Sequence, residues 1–263
     1  MTPIDTAANL EAESDIPEIV GGAPLEQPAK KIIEKNYLWL PELGIAYGRI
    51  PKAANTSIRD ALLQMLNLDL DPELALPNKD DFWKGLPKSK ASMLTKKQLL
   101  SHPETRNAWV FSFVREPFSR LYSCWNNKVI ENETLSRRLL EIGVVKGMTF
   151  ETFVETVCNA PDEGSDVHVR SQASFLTLGS QLLPHFVGRV ETMDNDWTHL
   201  QYEVRLRSGH ALPEIARRNA RAMATPDISE QYPLELRQMV ARRYQRDYEL
   251  FYPERLQGVL ESA

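Results

Sequence analysis

Cysteine is nearly absent from this chain, which holds only Cys124 and Cys158 in 263 residues. Two thiols cannot build a disulfide framework, and their spacing matches no zinc-ligand pattern. The five histidines offer no His-x-x-x-His pair either, so no metal site is expected. Long apolar runs are missing as well; no stretch of about eighteen such residues offers a membrane span. Positive charge is scarce at the start, where Asp5, Glu11, Glu13, Asp15, Glu18 and Glu26 face the single base Lys30. That is the reverse of a signal or transit peptide. Residues 1–35 therefore read as a poorly ordered leader, and the chain as a soluble, cytoplasmic protein. The formal net charge of −5 argues against general nucleic-acid binding, though a local basic pocket remains compatible with it. Asn55-Thr56-Ser57 and Asn132-Glu133-Thr134 match the glycosylation pattern, which without a secretory signal is taken as coincidence.

What is present is an ordinary globular composition, long enough for residues 36–263 to form one domain around one core. A strand pattern near 43–50 enters a small-residue loop, and a helix pattern over 56–67 follows with Ile58, Ala61, Leu62, Met65 and Leu66 at helical spacing. Residues 68–92 carry Pro72, Pro77 and Pro87 and read as an irregular segment at the mouth of a site. Trp109-Val-Phe-Ser-Phe-Val114 is a continuous run consistent with a buried parallel strand. Pro117 then suits the first turn of a helix over 117–130. Further helices are expected over 149–158, from a cap at Asp194 or Asn195 to about Arg207, and over 233–250, with a short strand at 186–190. The alternation predicts an α/β fold: a three-layer sandwich with a central parallel sheet, of the P-loop-containing nucleotide-binding type, with ligands at the strand C-termini.

Two segments carry chemistry. Ile50-Pro51-Lys52-Ala53-Ala54-Asn55-Thr56-Ser57 joins a strand to a helix, so its backbone N–H groups and the helix N-terminus suit phosphate or sulfate. A Walker loop would need glycines and a lysine directly before the hydroxyl residue; here Lys52 opens the loop and Thr56 and Ser57 close it. The second segment, Phe113-Val-Arg-Glu-Pro-Phe-Ser-Arg-Leu-Tyr-Ser123, puts Arg115 where a magnesium-orienting acid would often stand. The protein itself supplies the positive charge, which weakens a nucleotide kinase or NTPase reading but leaves it as the alternative.

These segments resemble the 5′-phosphosulfate loop and the 3′-phosphate segment of sulfotransferases, with Arg115 and Ser123 eight positions apart. The carbohydrate-type family, sulfotransferase family 2, is the nearest resemblance. Asp166-Val-His168-Val-Arg-Ser-Gln172 is similar to its Asp-x-His…Gln stretch, Val187–Glu191 to its Gly-Arg-x-Glu strand, and Tyr244–Phe251 to its closing helix. The resemblance covers about residues 43–253. It implies 3′-phosphoadenosine 5′-phosphosulfate (PAPS) as donor, no metal, and an acceptor hydroxyl, of a saccharide or glycosylated small molecule. Lys52, Ala53, Ala54, Asn55, Thr56 and Ser57 would hold the 5′-phosphosulfate, with Lys52 also at the bridging oxygen where charge grows. Arg115 and Ser123 would take the 3′-phosphate. His168 is the expected base, with His102 and Glu191 as alternatives. A non-catalytic nucleotide-binding relative is a third reading. Animal members carry an amino-terminal membrane anchor; with no such run here, a cytoplasmic acceptor is expected.

Bland roles stand beside these. Arg120 could contact nucleotide or sit in a structural ion pair. Tyr122 and Trp125 read as core rather than as an adenine platform. Arg205, Arg207, Arg217, Arg218 and Arg221 could receive an anion, though a charge run is commonly a solvated helix face.

Overall fold

The computed structural model describes residues 34–71, 75–216 and 232–260. Arg217, Arg218, Arg221 and nearly all of the 1–35 leader lie outside the described residues.

The strands are β1 (Tyr37–Leu40), β2 (Ile45–Gly48), β3 (Ser92–Leu94), β4 (Trp109–Val114), β5 (Thr177–Leu178), β6 (Gln181–Leu182) and β7 (Phe186–Arg189). Five of them form one sheet in the order β3-β1-β2-β4-β7, while β5 and β6 pair separately. The expected parallel sheet is in fact mixed. β2, β4 and β7 run parallel, with Tyr47 opposite Phe111 and Phe111 opposite Phe186, but β1 is antiparallel to both β2 and β3. The reason is chain length. Only the 3-10 turn Pro41–Leu43 and left-handed Gly44 separate β1 from β2, and so short a link can close a hairpin but not a crossover.

The helices are α1 (Asn55–Met65), α2 (Asp80–Gly85), α3 (Lys96–Ser101), α4 (Pro117–Trp125), α5 (Arg137–Glu141), α6 (Phe150–Asn159), α7 (Gln172–Leu176), α8 (Met193–Ser208), α9 (Leu234–Arg243), α10 (Gln245–Phe251) and α11 (Pro253–Leu260). They flank the sheet. The period-2 alternation of β1 sends Leu38 and Leu40 into the main core and Tyr37 and Trp39 into a smaller one with Ala46, Leu99, Val110 and Leu183. The main core joins Tyr47, Phe111 and Phe113 of the sheet to Ile58 and Leu62 of α1 and to Trp197, Leu200 and Val204 of α8. Gly188 in β7 lies directly under the Phe113 ring; a Cβ there would stand 2.4 Å from a ring carbon.

Several boundaries differ from the sequence reading. Residues 68–92 are not wholly irregular, since α2 lies inside them and β3 begins at their end. The buried guanidinium of Arg59 on α1 bonds the Lys79 carbonyl at 2.8 Å and Asp80 at 3.1 Å, and Arg49 pairs with the same Asp80. Helix 117–130 ends as α4 at Trp125 and continues as one π-helical turn, Asn126–Glu131. α8 starts at Met193 rather than being capped by Asp194 or Asn195; Asp196 instead accepts from the Arg189 N–H and the Thr192 hydroxyl. The final helix breaks at Tyr244, whose φ of −111° interrupts the helical path between α9 and α10.

Candidate active site

β2 ends at Gly48, and the chain turns through 49–54 before entering α1. Lys52 (φ 68°) and Ala54 (φ 54°) both take the left-handed conformation without being glycine. Such backbone costs about 1–2 kcal/mol per residue and persists only where the surroundings hold it. Here they do: the buried Arg120 guanidinium of α4 donates through Nε to the Pro51 carbonyl at 3.0 Å. The helix that follows is open at its start. Ala54 is its N-cap and supplies no side-chain acceptor, and the first N–H groups of a helix have no intrahelical partner. The N–H groups of Asn55, Thr56 and Ser57 thus begin a helix whose dipole favours negative charge.

Lys52 is half-buried, with Nζ 3.1 Å from Oδ1 of Asn127. Its ammonium is pushed down to about 8, first by burial and further by the neighbouring cations Lys128 and Arg115, with Glu131 working the other way. The coupling brings Lys52, Lys128 and Arg115 into one electrostatic neighbourhood in an acidic protein. Asn127 and Lys128 come from the π-helical turn after α4. Neither stood out in the sequence, where both sit in an apparently continuous helix; the only hint was an Asn126-Asn127 pair, since short amides are poor helix-interior residues.

Arg115 directly follows β4 and is 3% exposed. Gln172 brackets its backbone, accepting from the Arg115 N–H at 2.9 Å and donating to its carbonyl at 2.7 Å. Gln172 is in turn fixed by Asp247 of α10, a fully buried carboxylate that accepts from the Gln172 and Ala173 N–H groups and the Ser171 hydroxyl. Burial lowers the Arg115 guanidinium, and the charges of Glu191 and Glu116 oppose that. Ser123 lies half-buried further along α4.

A family match over most of the chain decides what the molecule is. The family model described as Sulfotransferase family, sulfotransferase family 2, covers residues 35–253. The chain belongs to this sulfotransferase family. No curated protein and no solved structure matches it. Membership supports sulfuryl transfer as the chemistry and implies a sulfate donor and an acceptor substrate.

In the sulfotransferase, the three histidine or acidic candidates for the base stand in different surroundings. His168 lies on the loop before α7, close enough to Lys52 and Lys128 for their charges to act on it. Burial is the main force lowering its pKa, Lys52 and Lys128 add to it, and Asp166 opposes them. His102 is exposed beside α3, where its Nδ1 accepts from the Glu104 N–H at 3.4 Å; it lines a cleft of about 310 Å³ with Trp39 and Trp83. Glu191 has both oxygens engaged, one by the Glu116 N–H and the other by the Tyr252 hydroxyl, each at 2.9 Å. These bonds tie the turn after β7 to the start of α4 and to the residue that ends α10.

Arg120 makes main-chain contacts rather than a side-chain ion pair. It is 1% exposed and donates to three main-chain carbonyls, Pro51, Val167 (3.2 Å) and Arg170 (2.7 Å), so it braces the Lys52 loop against the His168 loop. Tyr122 and Trp125 pack with Phe118 and Phe150 in an aromatic cluster, and the Trp125 Nε1 donates to the Met148 carbonyl at 2.8 Å. Arg205 and Arg207 are exposed on α8; Arg207 pairs with Glu203 and lies over the Trp109 ring. Among the described residues no cluster of three His, Cys, Asp or Glu side chains could hold a metal ion, and no helix is long and apolar enough to cross a membrane.

Proposed function

We propose that the sulfotransferase moves a sulfuryl group from PAPS to the hydroxyl of a saccharide or glycosylated small molecule. The observation that carries this reading is Lys52 in the turn before the open N-terminus of α1, within reach of the Lys128 and Arg115 charges. A half-buried lysine under the charges of two further cations is a poor arrangement by itself and a good one around a multiply charged anion. The donor set fits such a ligand: the N–H groups of Asn55, Thr56 and Ser57 with the Thr56 and Ser57 hydroxyls toward the 5′-phosphosulfate, and Arg115 with Ser123 toward the 3′-phosphate. PAPS supplies an activated sulfuryl group with a phosphate leaving group. Lys52, with the Ala53 and Ala54 backbone behind it, meets the negative charge that develops on the bridging oxygen. Its ammonium is charged near neutral pH and lies close to its own titration point, so it can neutralise that oxygen by charge or by proton. His168 takes the proton of the acceptor hydroxyl. Direct transfer needs no covalent enzyme intermediate.

Calorimetry tests the donor assignment. The 3′,5′-bisphosphate product nucleotide is expected to bind at least about tenfold more tightly than ADP, with or without magnesium, because a charge-assisted arginine fork is worth about 1.5–3 kcal/mol. Arg115→Ala removes that preference. Equal affinities for the two nucleotides in the wild-type protein would exclude PAPS as the donor.

A further inference from the structure

Three side chains from two segments form a hydrogen-bonded row that ends on His168. Ser136, the N-cap of α5, donates from Oγ to Oδ2 of Asp166 at 2.5 Å. Oδ1 of Asp166 stands 2.6 Å from Nδ1 of His168 and also accepts the His168 backbone N–H at 2.9 Å. The Asp166 side chain is 8% exposed and that of His168 27%, so the ring is held but its far edge is reachable. The loop between them is clamped from both sides. Arg120 holds the Val167 and Arg170 carbonyls, the Tyr244 hydroxyl donates to the Val169 carbonyl, and the Val169 and Arg170 N–H groups return to the Asp166 carbonyl. His168 cannot swing away without breaking several of these bonds.

The chemistry of the row fixes a tautomer. A carboxylate has no proton to give, so the 2.6 Å contact requires Nδ1 to carry the hydrogen. Burial alone would raise the Asp166 carboxyl, but the His168 contacts and the Ser136 hydroxyl outweigh it and hold it well below the usual carboxylate range. The charged groups acting on His168 are Asp166 on its own loop, Lys52 from the loop after β2 and Lys128 from the π-helical turn, while Arg120 of α4 holds the neighbouring Val167 carbonyl. With the ring neutral and Nδ1 protonated, Nε2 is left with its lone pair.

We propose that Ser136 and Asp166 are positioning residues that lock His168 as the Nδ1-protonated tautomer and so present Nε2 to the acceptor hydroxyl. The inference rests on the sulfuryl-transfer reading for its substrate. As the acceptor oxygen bonds to sulfur, its proton passes to Nε2, and the electrons of the breaking S–O bond go to the leaving phosphate oxygen. The imidazolium that results is stabilised by Asp166 and returns its proton to water.

The test is nitrogen-15 NMR of histidine-labelled full-length protein, with the His168 signals assigned by their loss in His168→Gln. The expected spectrum has Nδ1 protonated and Nε2 bare. Asp166→Ala should let the Nε2-protonated form appear and lower kcat roughly 10²-fold, the lower end of what a general base contributes. Asp166→Asn keeps an oxygen for the Nδ1 hydrogen while removing the charge, so the tautomer persists and the His168 pKa falls. Ser136→Ala has a smaller effect in the same direction, and in all three the product-nucleotide affinity stays within about threefold of wild type, since none of these groups faces the donor. A ring protonated at Nε2 in the wild type would overturn the proposal, as would an Asp166→Ala protein that keeps both tautomer and kcat. Weak bisphosphate binding with the expected tautomer intact would instead count against the donor assignment alone.

Discussion

Gly188→Ala is a one-carbon change whose consequence can be worked from distances. The added Cβ would lie 2.4, 2.7 and 2.8 Å from three carbons of the Phe113 ring, where ordinary contact begins near 3.4 Å. The ring must therefore move by about 1 Å. It has little room, being fully buried with Trp197 at 6.0 Å and Phe186 at 6.1 Å between ring centroids. Overpacking of this kind costs about 1–3 kcal/mol, and the enclosure argues for the upper end. For a chain of this size each kcal/mol moves Tm by about 2–4 °C, so a fall of roughly 4–10 °C is expected. Phe113 lies two residues before Arg115, so the displaced strand should also weaken product-nucleotide binding. Thermal unfolding followed by circular dichroism, with calorimetry for the ligand, measures both. Gly85→Ala is the control: nothing lies within 4 Å of its built Cβ, and a neutral effect or a gain of about 0.4–1 kcal/mol is expected. Equal midpoints for Gly188→Ala and wild type would refute the reasoning.

The pH dependence of the site follows from Lys52. Because its folded-state pKa is depressed to about 8, the ammonium is lost as pH rises through that value, and product-nucleotide affinity should fall there. Lys52→Arg should hold its affinity across the same range, and a wild-type protein with flat affinity through pH 8 would contradict the assignment. The same shift makes stability rise between about 8 and the unfolded value near 10.4, since only the unfolded chain still binds the proton in that window. Asp80 gives stability the same slope with pH, in the acid range. Burial would raise its carboxyl, but Arg49 and Arg59 hold it below the usual value, so its contribution is present above the unfolded pKa and lost as pH falls through the folded one. Asp80→Asn should destabilise by about 2 kcal/mol, moderated by the partial exposure of Asp80, and should flatten the acid limb of the stability curve. Urea unfolding at several pH values checks it; parallel acid limbs in the two proteins would exclude the pairing.

Much of the scaffold was legible from local pattern. The run at Trp109–Val114 is β4 to the residue, since a strand buried on both faces leaves a near-continuous apolar signature, interrupted here by Ser112 alone. Thr149 caps α6 and Gly209 closes α8 in the left-handed conformation, as their residue types required. The hairpin of β1 was hidden because Tyr37–Leu40 is only four residues long and sits beside a stretch without periodicity. The π-helical turn was hidden because its residues follow helical spacing until the backbone widens.

The candidate site divides along the same line. Backbone chemistry is local, so the sequence alone determined that a cationic loop after β2 opens onto a helix start, and that Arg115 ends the neighbouring strand. Side-chain partners are set by packing between segments far apart in the chain. Only the tertiary structure decided that Arg120 braces two loops, that Glu191 accepts from Tyr252, that Asn127 bonds Lys52, and that Ser136 reaches Asp166 across thirty positions. Those pairings depend on where helices come to rest against the sheet, and that is a property of the whole core rather than of any motif.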